Sequence, residues 1–164
     1  MNALSLLARV GLVAVVATVA GCSDGPKFAP VTGTVTHHGS PLVGATVVFT
    51  PTAPAEGVGA ATAVTGPDGR FQLQTNLPGG VTHTGAAHGT YKVTVSKFVP
   101  PSGMSEEEYT KKAEAEQSPN KPYSPTSSVP PKVEFVPKEF SNLASTKVEA
   151  TVGSGTNDVQ IVIP

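Results

Sequence analysis

The chain of 164 residues contains no tryptophan, one cysteine, three tyrosines and six phenylalanines. The missing tryptophan removes the usual stacking platform of a sugar site. A lone thiol cannot make an intrachain disulfide or a cysteine-built metal centre, so the fold must be stabilised by burial. Charge is scarce and balanced, with 11 basic and 12 acidic residues. No basic stripe exists to neutralise phosphates, so nucleic acid is not an expected partner. The apolar run Val10–Ala20 is shorter than the ~20 residues a spanning helix needs.

That run has another use. Residues 1–21 carry a thin positive end at Arg9, an apolar segment, and small residues at its close, as a secretory signal does. Val19-Ala20-Gly21-Cys22 resembles the lipobox of bacterial lipoproteins. The resemblance implies a diacylglycerol on the Cys22 sulfur, cleavage before Cys22 and acylation of the new amino group. An ordinary signal peptide with a chance cysteine, or a retained anchor helix, is the alternative. Spacing, run length and the sole cysteine together favour the lipidated form. The expected membrane partner is thus reached through the lipid on Cys22, and Ser23 after it implies the outer membrane where one exists. Removing Arg9 with the signal takes the basic count from 11 to 10 against 12 acidic residues, a formal charge of −2.

The remaining chain reads as a polar tether over 22–30 and one β-rich domain over 31–164, with Phe28 beginning to dock on the domain. Seventeen glycines and 16 prolines among many Val and Thr are the composition of short strands with frequent turns. Val31–Thr36 and Ala45–Thr50 alternate across a His37–Pro41 turn. Ala60–Thr65 and Phe71–Thr75 flank Gly66-Pro67-Asp68-Gly69, and are expected to form a hairpin. Asn76–Gly89 reads as a long glycine-rich loop, and Thr90–Phe98 as the clearest strand. Thr146–Val152 and Val159–Ile163 are expected to pair as a hairpin across Gly153–Asp158, and Lys132–Val136 as an edge strand. The expected fold class is all-β: a sandwich of about seven strands, prealbumin-like or Ig-like, with a Pro-rich, charged, partly helical insertion.

That insertion, 99–131, breaks a low-charge pattern. Ser105 with Glu108 forms a capping box, and Glu107/Lys111 and Glu108/Lys112 are helical i, i+4 pairs, so the spacing predicts a helix over Ser105–Glu116. Proline-rich flanks predict an extended, mobile remainder. Thr126, Ser127 and Ser128 among its prolines are possible glycan acceptors.

Val31-x-Gly33-x-Val35, Gly39-x-Pro41-Leu42-x-Gly44-Ala45-x-Val47-x-Phe49, Thr65-Gly-Pro-Asp68-Gly69-Arg-Phe71 and Gly89-x-Tyr91-x-Val93-x-Val95 occur in that order. This order resembles the carboxypeptidase regulatory-like domain, a transthyretin-like sandwich, here in a small bacterial surface lipoprotein. The resemblance covers 31–97 well and 143–164 loosely. It implies a non-catalytic scaffold, since every matching position is structural. The related hydroxyisourate hydrolases use a His/Arg cluster and a C-terminal Tyr-Arg-Gly-Ser; this chain ends Gln160-Ile-Val-Ile-Pro164.

The search for chemistry is correspondingly thin. No Gly-x-Ser-x-Gly elbow is present, and most carboxylates lie on one helix instead of facing each other across a cleft. No enzyme activity and no cofactor are expected. His37 and His38 are adjacent, and adjacent strand residues point to opposite faces, so only a tight turn would bring both to one ion. His83 and His88 share the expected loop but lack a completing ligand. Asp68 alone does not supply the oxygens Ca²⁺ needs. Tyr91 belongs to the core, leaving Tyr109 and Tyr123 in the insertion. The leading expectation is a structural or protein-interaction module with an envelope protein partner. The second is a glycan- or metal-binding module using the loop histidines or the insertion tyrosines.

Overall fold

The computed structural model describes residues 25–53, 56–117 and 127–164. The signal at 1–21, Cys22, the first residues of the tether, Tyr123 and Thr126 lie outside the described residues. The described chain is mostly β, with two short helices.

Alternating runs become strands because one face has a core to enter. Phe28–Ala29 (β1) leads into Val31–His37 (β2), with Val31 and Val35 buried, and Ser40–Pro41 (β3) folds back on it. Thr46–Pro51 (β4) and Ala61–Val64 (β5) are antiparallel neighbours. Arg70–Gln72 (β6), Gln74–Leu77 (β7), Val81–Thr84 (β8) and Ala86–Ala87 (β9) precede the longest strand, Gly89–Ser96 (β10). Phe98–Val99 (β11), helix Glu106–Glu116 (α1), Val133–Glu134 (β12) and helix Lys138–Ser141 (α2) follow. Glu149–Val152 (β13) and Asn157–Ile163 (β14) close the chain.

These strands form a six-stranded sheet in the order β13-β10-β4-β5-β7-β8 and a four-stranded sheet in which β2 pairs β14 on one side and β3 and β6 on the other. Two short ladders, β1-β9 and β11-β12, complete the set. Every pairing is antiparallel except β14 with β2. Val47, Phe49, Tyr91 and Val93 from the larger sheet share one core with Val31, Val35, Phe71, Ile161 and Ile163 from the smaller. The Phe49 and Phe71 rings lie 6.3 Å apart, joining the two sheets.

The turn at Gly66–Gly69 forms, and the expected hairpin pairs at its two ends only: Gly66 N–H donates to the Arg70 carbonyl at 2.8 Å, and Ala61↔Thr75 and Thr62↔Gln74 pair antiparallel as β5 with β7. Gly69 N–H donates to the Gly66 carbonyl at 3.0 Å and Gly69 holds φ +72, a left-handed backbone that favours glycine. Asp68 Oδ1 accepts from Arg70 N–H at 3.0 Å, an Asx turn. Between those ends the ladder opens because its groups are already engaged. Thr65 exchanges backbone bonds with Gly44 and Ala45, while the Gly69 carbonyl accepts from Val35 N–H at 2.9 Å. The chain therefore crosses to the smaller sheet as β6 and returns to the larger one as β7. The expected single strand Phe71–Thr75 is cut at buried Leu73, whose N–H donates to the Val31 carbonyl at 3.0 Å.

Two further expectations are corrected. Asn76–Gly89 is not a loop, because Pro78-Gly79-Gly80 turns β7 onto β8 in the register Leu77↔Val81 and β9 then pairs β1. The C-terminal strands are not a hairpin. β13 pairs β10 while β14 pairs β2, so Ala150 and Val152 enter the core from one sheet, Ile161 and Ile163 from the other.

Three threonines are buried, each with its hydroxyl satisfied. Thr65 donates to the Leu42 carbonyl and accepts from Ala45 N–H, Thr75 donates to Gly85, and Thr146 donates to Val93 at 2.7 Å. Thr65 joins two loops, the other two each fix a loop to a strand, and no buried side-chain polar atom among the described residues lacks a partner.

Candidate functional site

β10 sets the polarity of the molecule. Just before its first residue, β9 holds β1 in the register Phe28↔Ala87 and Ala29↔Ala86, and His88 N–H donates to the Lys27 carbonyl at 2.8 Å. The N-terminal segment thus enters at the Gly89 end, ahead of the expected domain start at Val31. His83 belongs to this end: it lies on β8 with its ring stacked on Phe28, centroids 4.1 Å apart and 6° from parallel. This contact makes His83 a packing residue of the entering strand.

At the Ser96 end the chain leaves the sheets. β11 and β12 pair in the register Phe98↔Glu134 and Val99↔Val133, so the segment between them is an arm that begins and ends at one place. The base is secured by Glu134, whose carboxylate accepts from Lys97 N–H at 2.9 Å, Val136 N–H at 3.0 Å and the Ser96 hydroxyl. A lone carboxylate inside the alternating run Lys132–Val136 is the signal in the sequence that points to this role. Eight residues of β10, at about 3.3 Å each, set the entering strand and the base of the arm roughly 25 Å apart.

The arm itself is capped and clamped. The Ser105 hydroxyl accepts from Glu108 N–H at 3.2 Å, and Glu108 Oε2 accepts from Ser105 N–H at 3.0 Å, the expected capping box. These bonds, with Lys112 one turn on, hold the Glu108 carboxyl below the usual carboxylate range. Lys132 Nζ sits 3.0 Å from Glu106 Oε2 and 4.9 Å above the Tyr109 ring, while Ser128 donates to Glu116 at the other end of α1. An 11-residue helix is about 16 Å long. Ser128 and Lys132 touch opposite ends of α1, at Glu116 and Glu106, so the described return runs along the helix. The described part of the arm makes these contacts with itself, and α1 has no buried residue. Tyr109 is therefore committed to the clamp.

His37 and His38 behave differently from alternating strand residues. His38 adopts φ +49 and Gly39 φ +78, and this left-handed turn folds the His38 ring back onto His37, with centroids 4.1 Å apart. This is the tight turn that the sequence required for the two rings to meet, and it is possible because the strand ends at His37. Phe135 meets the His37 ring edge-on at 4.9 Å, and Lys97 lies 5.8 Å over Phe135. His37 is packed between two rings at the base of the arm. No group of three or more His, Cys, Asp or Glu able to hold a metal exists among the described residues, so neither histidine pair is brought together with a further ligand.

Tyr91 is buried, with its hydroxyl donating to the Ala87 carbonyl at 2.7 Å, and burial pushes its phenol above the ordinary value. Asp68 ion-pairs loosely with Arg70 at 3.6 Å, both exposed. No helix among the described residues is long and apolar enough to cross a membrane. The arrangement leaves α1 without a buried residue at the Ser96 end. Neither a protein-family model, nor a curated protein, nor a solved structure matches this chain.

Proposed function

We propose that this protein is a lipid-anchored, extracytoplasmic, non-catalytic module that presents its arm to a protein partner in the cell envelope. The two sheets serve as the halves of a prealbumin-like sandwich, with the short ladders as appendages. The single observation that carries this reading is the placement of the entering strand and the arm at opposite ends of β10. An anchor on Cys22 would leave at most five residues between the lipid and Phe28, less than about 20 Å of chain. Acyl burial on the order of 0.8 kcal/mol per CH₂ would then keep that end at the bilayer. The arm would face away from it, offering the exposed flank of α1 and the exposed Phe98 and Val133 beside its base. The shared core order from Val31 to Val95, which resembles the carboxypeptidase regulatory-like domain, agrees with a scaffold role. Ser23 after the cysteine favours the outer membrane.

Whole-cell photo-crosslinking tests the proposal. A crosslinker placed at Glu107 on α1 is expected to recover one specific envelope protein, and the same group at Gln74 on β7 is not. In parallel, Cys22→Ser is expected to release the chain from membranes and remove the lipid mass. Equal capture from both positions, or full membrane retention of the Cys22 variant without lipid, would overturn it.

A further inference from the structure

We propose that a depression on the outer face of the six-stranded sheet, centred on Lys92, binds a small organic monoanion: a carboxylate carrying an apolar group. The site lies apart from the arm and does not depend on the anchor. It is an open depression of about 530 Å³ lined by Thr50, Pro51, Thr52, Lys92, Asn142, Leu143 and Ala144.

Its chemistry follows from the register. Lys92 pairs with Thr50 on β4 and with Glu149 on β13, so all three side chains stand on the face opposite the core. The Lys92 side chain is half-buried, yet no described residue lies within ion-pair or hydrogen-bond distance of its ammonium. A partly desolvated cation without a partner gains a charge-assisted hydrogen bond when an anion arrives. Asn142 has a defined orientation, because its Oδ1 accepts from Ala144 N–H at 2.8 Å, which leaves the amide NH₂ as a donor. The Thr50 hydroxyl has no partner among the described residues, whereas the Thr52 hydroxyl is occupied by the Thr90 carbonyl at 3.0 Å. Lys92, the Asn142 amide and the Thr50 hydroxyl are thus side-chain donors lining the depression.

Size and charge narrow the class. Pro51, Ala144 and Leu143, the last 43% exposed, form an apolar rim that an alkyl or aryl group would cover. Glu149 is the cross-strand neighbour of Lys92 without forming an ion pair; its field opposes negative charge on the ligand and weighs twice as heavily on a dianion as on a monoanion. One cation facing one nearby carboxylate suits a monoanion and disfavours polyphosphates and diacids. The lining holds no His, Cys, Asp or Glu, so a metal ion has nothing to bind.

Calorimetric titration of the full chain with hexanoate, adipate and 1-hexanol tests the assignment. Hexanoate is expected to bind saturably at millimolar concentration, and adipate and hexanol at least about tenfold more weakly, the scale of one charge-assisted bond. Lys92→Gln is expected to weaken hexanoate by about tenfold or more and Lys92→Arg by much less. Leu143→Ala is expected to weaken it by about three- to fivefold through lost apolar cover. Thermal melts of each variant check that the fold is kept, and the Arg variant serves as the readout if the Gln variant does not fold. Absence of saturable binding, equal binding of hexanol or adipate, or unchanged binding by a folded Lys92→Gln variant would overturn the proposal. With Lys92→Gln unfolded, hexanoate binding by Lys92→Arg no tighter than that of hexanol would overturn it as well.

Discussion

The Tyr91 hydroxyl donates to the Ala87 carbonyl across four residues at 2.7 Å, tying the start of β10 to the ladder that holds the entering strand. Tyr91→Phe keeps the ring and leaves that carbonyl unpartnered, at a cost of roughly 1–3 kcal/mol. The same contact gives a pH dependence. Burial raises the phenol's value in the folded state, so the neutral form's stabilisation is present in full below the unfolded value, about 10, and is lost as pH rises through the folded value. Chemical denaturation from neutral pH to about pH 11 should therefore show a steeper alkaline decline for the native chain than for Tyr91→Phe. Parallel declines would assign the effect to other groups.

Gly33 is the second expected weak point, through space and not through backbone angle. A Cβ at this position would sit 2.1 Å from the Val159 carbonyl oxygen and 2.5 Å from Phe71 Cζ. The Phe71 ring lies over the glycine across the β2–β6 ladder, covering backbone that has no side chain of its own. Gly33→Ala must shift both a backbone carbonyl and the ring that joins the sheets, and overpacking of this kind costs about 1–3 kcal/mol or more. A lowered melting temperature is expected, with partial recovery on adding Phe71→Leu. A Gly33→Ala variant that melts with the native chain would show that β14 shifts freely.

The contrast between what the sequence displays and what it hides is clearest from Leu73 to Val81. Phe71, Leu73 and Thr75 are all buried, as a period of two requires, even though β6 and β7 belong to different sheets. Alternation reports which side chain goes inward and is blind to which strand lies alongside. Partner choice depends on distant groups, such as the Val35 and Thr65 backbone bonds that open the turn ladder. The C-terminal strands illustrate the same limit. The five Cα-to-Cα steps from Val152 to Asn157 reach up to about 17 Å, enough to cross the ~10 Å between packed sheets. A tight hairpin and a crossover therefore look alike locally. At the candidate site, the capping box was legible because its partners lie three residues apart. The Lys132 clamp was not, because it joins groups separated by |i−j| of 26.

The capping box carries its own prediction. Ser105 backbone and side-chain hydrogen bonds, then Lys112, lower the Glu108 value, so its contribution is present at neutral pH and lost as pH falls through that depressed value. Hydrogen exchange at the first turn of α1 should accelerate in acid before exchange in β10 does. Ser105→Ala should produce that acceleration already at neutral pH, with little change in the melting of the sheets. Uniform acceleration across α1 and β10 would mean that helix and sheets open together.

The arm should open before the sheets do, and Lys132 should set how easily. The described arm stabilises itself through Lys132, Glu106, Tyr109, Ser128 and Glu116 and buries nothing of α1 in the core. Such a unit opens at a low free energy compared with strands whose side chains are fully buried. Trypsin should therefore cut first at Lys111 and Lys112, both exposed on α1, and only later at Arg70 or Lys92. Lys132→Ala removes an exposed pair and a ring contact worth about 1–2 kcal/mol together. It should raise the early cutting rate severalfold and leave the melting temperature nearly unchanged. Replacing residues 100–131 by a short Gly-Ser link should also be tolerated, because Val99 and Val133 already face each other across the β11–β12 ladder. First cuts at Arg70 or Lys92, or loss of the fold on replacement, would mean that the sheets depend on the arm and that it is a structural element, not a presented one.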